Sequence, residues 1–126
     1  MGIEKRRAPR KILIVDDDAD ILTVLRRMLD GSGYQVESAG SGPEALQKIG
    51  LFRPDVVLLD LMMPQMNGID TLRRIHEMET EPRVIMITAF GDIGSYIDAI
   101  EWGAMEYINK PFERDELIQA IEKNSP

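Results

Sequence analysis

Three stretches of the chain are almost purely apolar: Lys11-Ile12-Leu13-Ile14-Val15, Asp55-Val56-Val57-Leu58-Leu59-Asp60 and Arg83-Val84-Ile85-Met86-Ile87-Thr88. Each is rich in β-branched side chains, too short for an ordinary helix, and followed or closed by a polar residue. A half-exposed strand would alternate apolar with polar, so these read as strands buried on both faces. Shorter strands are expected at Tyr34 to Glu37 and at Met105 to Asn109.

Between the strands the period becomes helical. Ile21, Leu22, Val24, Leu25, Met28 and Leu29 share that spacing over 19 to 29, and Asp30-Gly31-Ser32-Gly33 is a stop signal. Ser41-Gly42-Pro43-Glu44 has the form of a capping box with Pro in the first turn. It opens a helix with Ala45, Leu46 and Ile49 on its apolar face, which Gly50 is expected to end. Asn67-Gly68-Ile69-Asp70 starts a third helix carrying Leu72, Ile75 and His76. A weaker helix is expected over 93 to 102, interrupted by Gly94 and terminated by Gly103. Leu117, Ile118 and Ile121 mark a last helix, finished by Asn124-Ser125-Pro126.

Five strands alternating with five helices, the central strands covered on both sides, predict an α/β doubly wound three-layer sandwich. No internal repeat or separating linker interrupts the pattern. One domain is expected over 11–124, behind a flexible basic tail at 1–10.

Composition narrows the chemistry. The 126 residues carry 15 basic and 22 acidic side chains, a net of −7. Residues 1 to 11 hold Lys5, Arg6, Arg7, Arg10 and Lys11 against Glu4, or +4, so the other 115 residues carry −11. Such a fold repels nucleic acid over most of its surface, and direct DNA or RNA binding is not expected. The absence of cysteine excludes disulfides, thiol catalysis and thiolate metal sites. No apolar run reaches membrane-spanning length, and none follows the basic start as a secretion signal would. A soluble, cytoplasmic domain without membrane contact is the expectation.

In an open parallel sheet, ligands bind outside the carboxyl ends of the strands. Those ends here carry Asp16-Asp17-Asp18, Asp60, Thr88 and Lys110. Any one of them alone is an ordinary turn or cap residue. Four ends of one sheet each bearing a suitable group is a different matter, because neighbouring strands lie about 5 Å apart. Clustered carboxylates call for a cation, and oxygen-only ligands favour a hard ion such as Mg²⁺, with Mn²⁺ as a substitute. A hydroxyl and an ammonium beside that ion suit a phosphoryl group. Asp60, central in the sheet, is placed to be the nucleophile.

These residues resemble the receiver domain of two-component response regulators. Ile14-Val15-Asp16-Asp17, Leu58-Leu59-Asp60 with Pro64 and Gly68, Ile87-Thr88-Ala89 and Lys110-Pro111-Phe112 occur in that family's order and spacing, across residues 10 to 123. Thr88-Ala89-Phe90-Gly91-Asp92 further resembles receivers that precede nitrogen-regulator-type activators, and a sporulation-relay receiver. The resemblance implies a flavodoxin-like five-stranded sheet of order 2-1-3-4-5. It implies phosphoryl transfer from a histidine kinase or histidine phosphotransfer protein to Asp60. Asp16, Asp17, Asp60 and the backbone carbonyl of Met62 would hold Mg²⁺. Thr88 and Lys110 would each contact a phosphoryl oxygen, and Lys110-Pro111 would be cis. Tyr107, three residues before Lys110, would be the aromatic that rotates on activation, with the output face at 93–124. Asp18 reads as a helix cap instead of a ligand.

Met62 and Phe90 occupy the positions that border the attacking water in this family. Neither can orient it, so slow self-dephosphorylation is expected, with no other enzyme activity. Output would pass to an effector domain in a longer chain, to a separate protein, or through a phosphorylation-dependent homodimer. Two rivals remain at this stage. One is a haloacid-dehalogenase-like Mg-dependent phosphatase using Asp16 as nucleophile, although Asp20 stands where that family has Thr or Val. The other is an interaction module that works without phosphorylation.

Overall fold

Parallel pairing builds one sheet in the order β2-β1-β3-β4-β5. The computed structural model describes residues 10–60, 68–79, 81–88, 97, 98 and 100–124, with Thr88 by its backbone alone. The strands are β1 Lys11–Val15, β2 Gln35–Ala39, β3 Val56–Asp60, β4 Arg83–Thr88 and β5 Ala104–Asn109. Helices α1 Ala19–Leu29, α2 Gly42–Phe52, α3 Gly68–His76 and α4 Arg114–Asn124 cover it, the last being the C-terminal helix. Residues 97, 98, 100 and 101 are also helical. Trp102 lies in a turn past that helix, while residues 93–96 and 99 of the weak helix expected over 93–102, Gly94 and Tyr96 among them, lie outside the described residues, as do residues 1–9 of the expected tail.

The two-residue period of the strands divides the core into two layers. Leu13, Val15, Val57, Leu59, Val84 and Met86 pack with Ala45, Ile49, Leu72 and Ile75 from α2 and α3. Ile12, Ile14, Val56, Leu58, Ile85 and Ile87 turn to the other face and meet Leu25, Leu29, Leu117 and Ile121 from α1 and α4. Both faces of the central strands are therefore dry, which is why their sequences show no alternation.

The larger departures from the sequence expectation are at β2 and α2, while β3 and β5 each begin one residue away from it, at Val56 and Ala104. Strand β2 runs from Gln35 to Ala39, not from Tyr34 to Glu37, because its pairing with β1 continues to Val15 opposite Ala39. A lateral strand tolerates Ser38, which a central one would not. Helix α2 passes Gly50 and ends at Phe52, with Arg53 as its cap. A glycine weakens a helix by about 1 kcal/mol without stopping it. Pro54 stops it, by disfavouring helical backbone at the residue before it. Arg53 instead takes φ 54 and donates its N–H to Ile49. For a non-glycine residue that conformation costs about 1–2 kcal/mol.

Local signals work as the residue types suggest. Asp18 caps α1, its carboxylate accepting from Asp20 N–H. Ser41 caps α2 and accepts from Glu44 N–H, while Glu44 reaches back to Gly40 N–H at 2.8 Å. That backbone hydrogen bond holds the Glu44 carboxyl below its ordinary value, and Lys48 adds to the effect. Arg10, assigned by sequence to the tail, is tied to the domain: its guanidinium bonds Glu122 at 2.8 and 3.0 Å, and its carbonyl accepts from Gln35.

Candidate functional site

The carboxyl ends of β1 and β3 deliver Asp16, Asp17 and Asp60 to one place. A carboxylate oxygen from each lies within 4.8 Å of the others. Asp16 and Asp60 are buried, at 2% and 7% exposure, and Asp17 is open to solvent. Asp16 directly follows Val15, while Asp60 is the last residue of β3 and pairs in register with Ile87.

From the end of β5 comes Lys110. Its ammonium is 3.3 Å from Asp16 Oδ2 and 3.9 Å from Asp60 Oδ1. The Lys110–Pro111 peptide bond is cis. Asp16 Oδ1 also accepts from Asp18 N–H at 2.9 Å, so the turn after β1 and the end of β5 both orient this one carboxylate. Thr88 ends β4 in register with Asn109, the residue before Lys110. Its side chain, Met62 and Phe90 lie outside the described residues, as do Met63, Pro64 and Met66.

Three carboxylates against one ammonium leave a local excess of two negative charges, with two of the acids almost out of water. A cation bound among the three carboxylates would offset that excess. Its donors are all oxygen, and Asp17 keeps the cluster open to solvent on one side. Those features fit Mg²⁺, a hard ion that keeps part of its water shell.

Residues 12–122 match the response regulator receiver domain family. The chain belongs to that family. This receiver domain is 40% identical over 116 residues to sporulation initiation phosphotransferase F of Bacillus subtilis, an alignment covering 92% of this chain and 94% of that protein. Among solved structures it resembles a CheY-like receiver domain protein of Methanospirillum hungatei, with TM-score 0.87, 32% identity and coverage of 91% and 92%. It also resembles a structure of the CheX–CheY–BeF₃–Mg²⁺ complex of Borrelia burgdorferi, with TM-score 0.86, 34% identity and coverage of 91% and 88%. The receiver is a non-enzymatic module of two-component phosphorelay signalling that accepts a phosphoryl group on an aspartate. The phosphatase reading is not favoured. Its nucleophile would be Asp16, whose two oxygens are engaged by Asp18 N–H and Lys110 and whose exposure is 2%.

Tyr107 is half-buried on β5 and packs against the core layer formed with α2 and α3. Trp102 packs on the same layer. His76 meets the Trp102 ring edge-on at 5.8 Å and pairs with Glu81 at 3.0 Å, remote from the acidic cluster in sequence and partners. No sequence motif pointed to Arg114, whose guanidinium bonds the Met28 carbonyl at 2.8 Å and Ser32 at 2.7 Å, fastening α4 to the end of α1. Contacts across 86 and 82 residues carry no local signature.

Proposed function

We propose that Asp60 is the phosphoacceptor and that a phosphohistidine on a histidine kinase or histidine phosphotransfer protein is the donor. The observation that carries this is the convergence of three carboxylates and Lys110, with Asp60 at the centre strand of the sheet. An Asp60 oxygen forms the new bond to phosphorus as the phosphorus–nitrogen bond to the donor imidazole breaks. The imidazole nitrogen keeps the electron pair and takes a proton from solvent.

Asp16, Asp17, Asp60 and the main-chain carbonyl of Met62 are the residues that would hold Mg²⁺ or Mn²⁺. Bound there, the ion supplies neutralisation of the phosphoryl oxygens. Lys110 moves its hydrogen bond from Asp16 to a phosphoryl oxygen, and the Thr88 hydroxyl donates to another. Phosphorylation adds charge and strong acceptors at one point. Tyr107, whose hydroxyl is already buried here and not exposed as a resting switch aromatic would be, responds to Thr88 from that inward position, and the 93–124 face presents the result to an effector domain, a downstream protein or a second copy. The domain catalyses its own phosphorylation and a slow dephosphorylation. It acts in the cytoplasm; among the described residues no helix is long and apolar enough to cross a membrane.

The test is intact mass after incubation with acetyl phosphate and Mg²⁺, beside an Asp60→Asn control. One phosphoryl adduct that needs Mg²⁺ and disappears in D60N is expected. An adduct that survives in D60N would move the acceptor elsewhere, and no adduct in either protein would refute the chemistry.

A further inference from the structure

At the pole opposite the acidic cluster, the lead-ins to β3 and β4 carry mirrored tripeptides, Arg53-Pro54-Asp55 and Glu81-Pro82-Arg83. The two segments are neighbours, joined by a hydrogen bond from Arg83 N–H to the Asp55 carbonyl at 3.1 Å. With Ile49 they line a cavity of about 330 Å³. Both prolines are buried, so two walls are rigid without any ligand.

The acids of the two tripeptides also line the cavity, and each has one oxygen engaged by a neighbour. Asp55 Oδ2 accepts from Lys11 N–H at 2.8 Å, and Glu81 Oε2 pairs with His76 Nδ1 at 3.0 Å. The guanidiniums of Arg53 and Arg83 are exposed and have no side-chain partner among the described residues. An acidic chain thus places on one cavity two arginines that have no side-chain partner among the described residues. Arg53 adopts a left-handed φ of 54, a strained conformation that glycine takes more readily.

We propose that this cavity binds a small organic phosphate of mononucleotide size. Guanidiniums match the oxygens of a phosphate monoester in geometry and charge, and two arginines line this cavity. A cavity of about 330 Å³ falls at the lower end of the size range of small-molecule sites. Ile49, Pro54 and Pro82 give the remaining space apolar walls suited to a ring. This site is separate from the phosphoacceptor cluster and independent of the reading of Asp60.

The experiment is an amide-shift titration of the ¹⁵N-labelled chain at physiological salt, using the common ribonucleoside 5′-monophosphates, with inorganic phosphate and adenosine as comparators. Saturable shifts at residues 49–55 and 81–83 are expected with at least one nucleotide, leaving Asp16 and Asp17 unmoved. Arg53→Gly suits the left-handed backbone better than arginine does, so it removes the guanidinium without weakening the fold. R53G and Arg83→Gln should each weaken binding about tenfold or more, or about 1.4 kcal/mol. No saturable shift with any nucleotide, equal affinity for inorganic phosphate or adenosine, or unchanged affinity in R53G and R83Q would each overturn the proposal.

Discussion

The Lys110 ammonium lies 3.3 Å from Asp16, a residue 94 positions earlier in the chain, and only 22% of the lysine side chain is exposed. This contact holds two buried carboxylates together when no cation is present. Lys110→Ala should therefore lower stability in EDTA by about 2 kcal/mol, because it leaves Asp16 and Asp60 without their ammonium. Asp60→Asn should be neutral or stabilising by up to about 1 kcal/mol, since it removes like-charge repulsion. Urea unfolding in EDTA measures both. A K110A protein as stable as its parent would show that the carboxylates do not depend on the lysine.

Phosphoryl lifetime follows from Met62 and Phe90, if they border the attacking water as the family resemblance implies. Thioether and phenyl groups neither accept nor orient its protons, so a half-life far longer than seconds is expected in Mg²⁺. Met62→Asn should shorten it about tenfold, within the range that one positioned polar group supplies. Loss of the phosphoryl adduct with time, followed by intact mass, gives both values.

Tyr34 is a pH reporter on the other side of the domain. Burial first, and then its hydrogen bond to Glu122, push its phenol well above the ordinary value of 10.0. The folded state thus favours the protonated phenol. Its contribution to stability is complete below pH 10 and is lost as pH rises toward the folded value. In ultraviolet titration of the three tyrosines, a late-ionising phenol should be present in the parent and one fewer in Tyr34→Phe. The variant should lose about 0.5–1 kcal/mol, since Glu122 keeps its bonds to Arg10. A wild-type titration in which all three phenols ionise together near pH 10 would contradict this.

Strand β2 is an edge whose exposed carbonyls are occupied. Gln35 donates to Arg10 and Ala39 accepts from Asp16, so residues 35, 37 and 39 face β1. The carbonyls of Val36 and Ser38 point outward, and Arg26 and Lys48 donate to them from helices on opposite faces. Edges protected in this way resist pairing with another chain. The Arg26→Ala/Lys48→Ala double variant should associate more readily, visible as a larger species in size-exclusion chromatography with light scattering. A monomer unchanged at high concentration would argue that the two side chains merely lie on the edge.

Much of this protein is determined by sequence alone, where the physics is local. The runs Ile12–Val15, Val56–Leu59 and Val84–Ile87 require burial on both faces, which only a parallel sheet between two helix layers provides. Asp18 and Ser41 cap helices because a short polar side chain can reach an unpaired N–H two or three residues ahead. The grouping of Asp16, Asp17, Asp60 and Lys110 was legible for the same reason: they stand at the ends of strands, and the ends of neighbouring parallel strands must meet.

Tertiary structure decided what depends on partners distant in the chain. It placed Lys110 between Asp16 and Asp60, and it carried α2 past Gly50 until Pro54 forbade another turn. It also fixed β2 by its pairing with β1, since an edge strand with Glu37 and Ser38 has no apolar pattern to mark its limits. Above all it brought Arg53-Pro54-Asp55 beside Glu81-Pro82-Arg83. Each tripeptide reads alone as an ordinary turn. Only the hydrogen-bonded register of two adjacent strands turns them into one cavity that both arginines line.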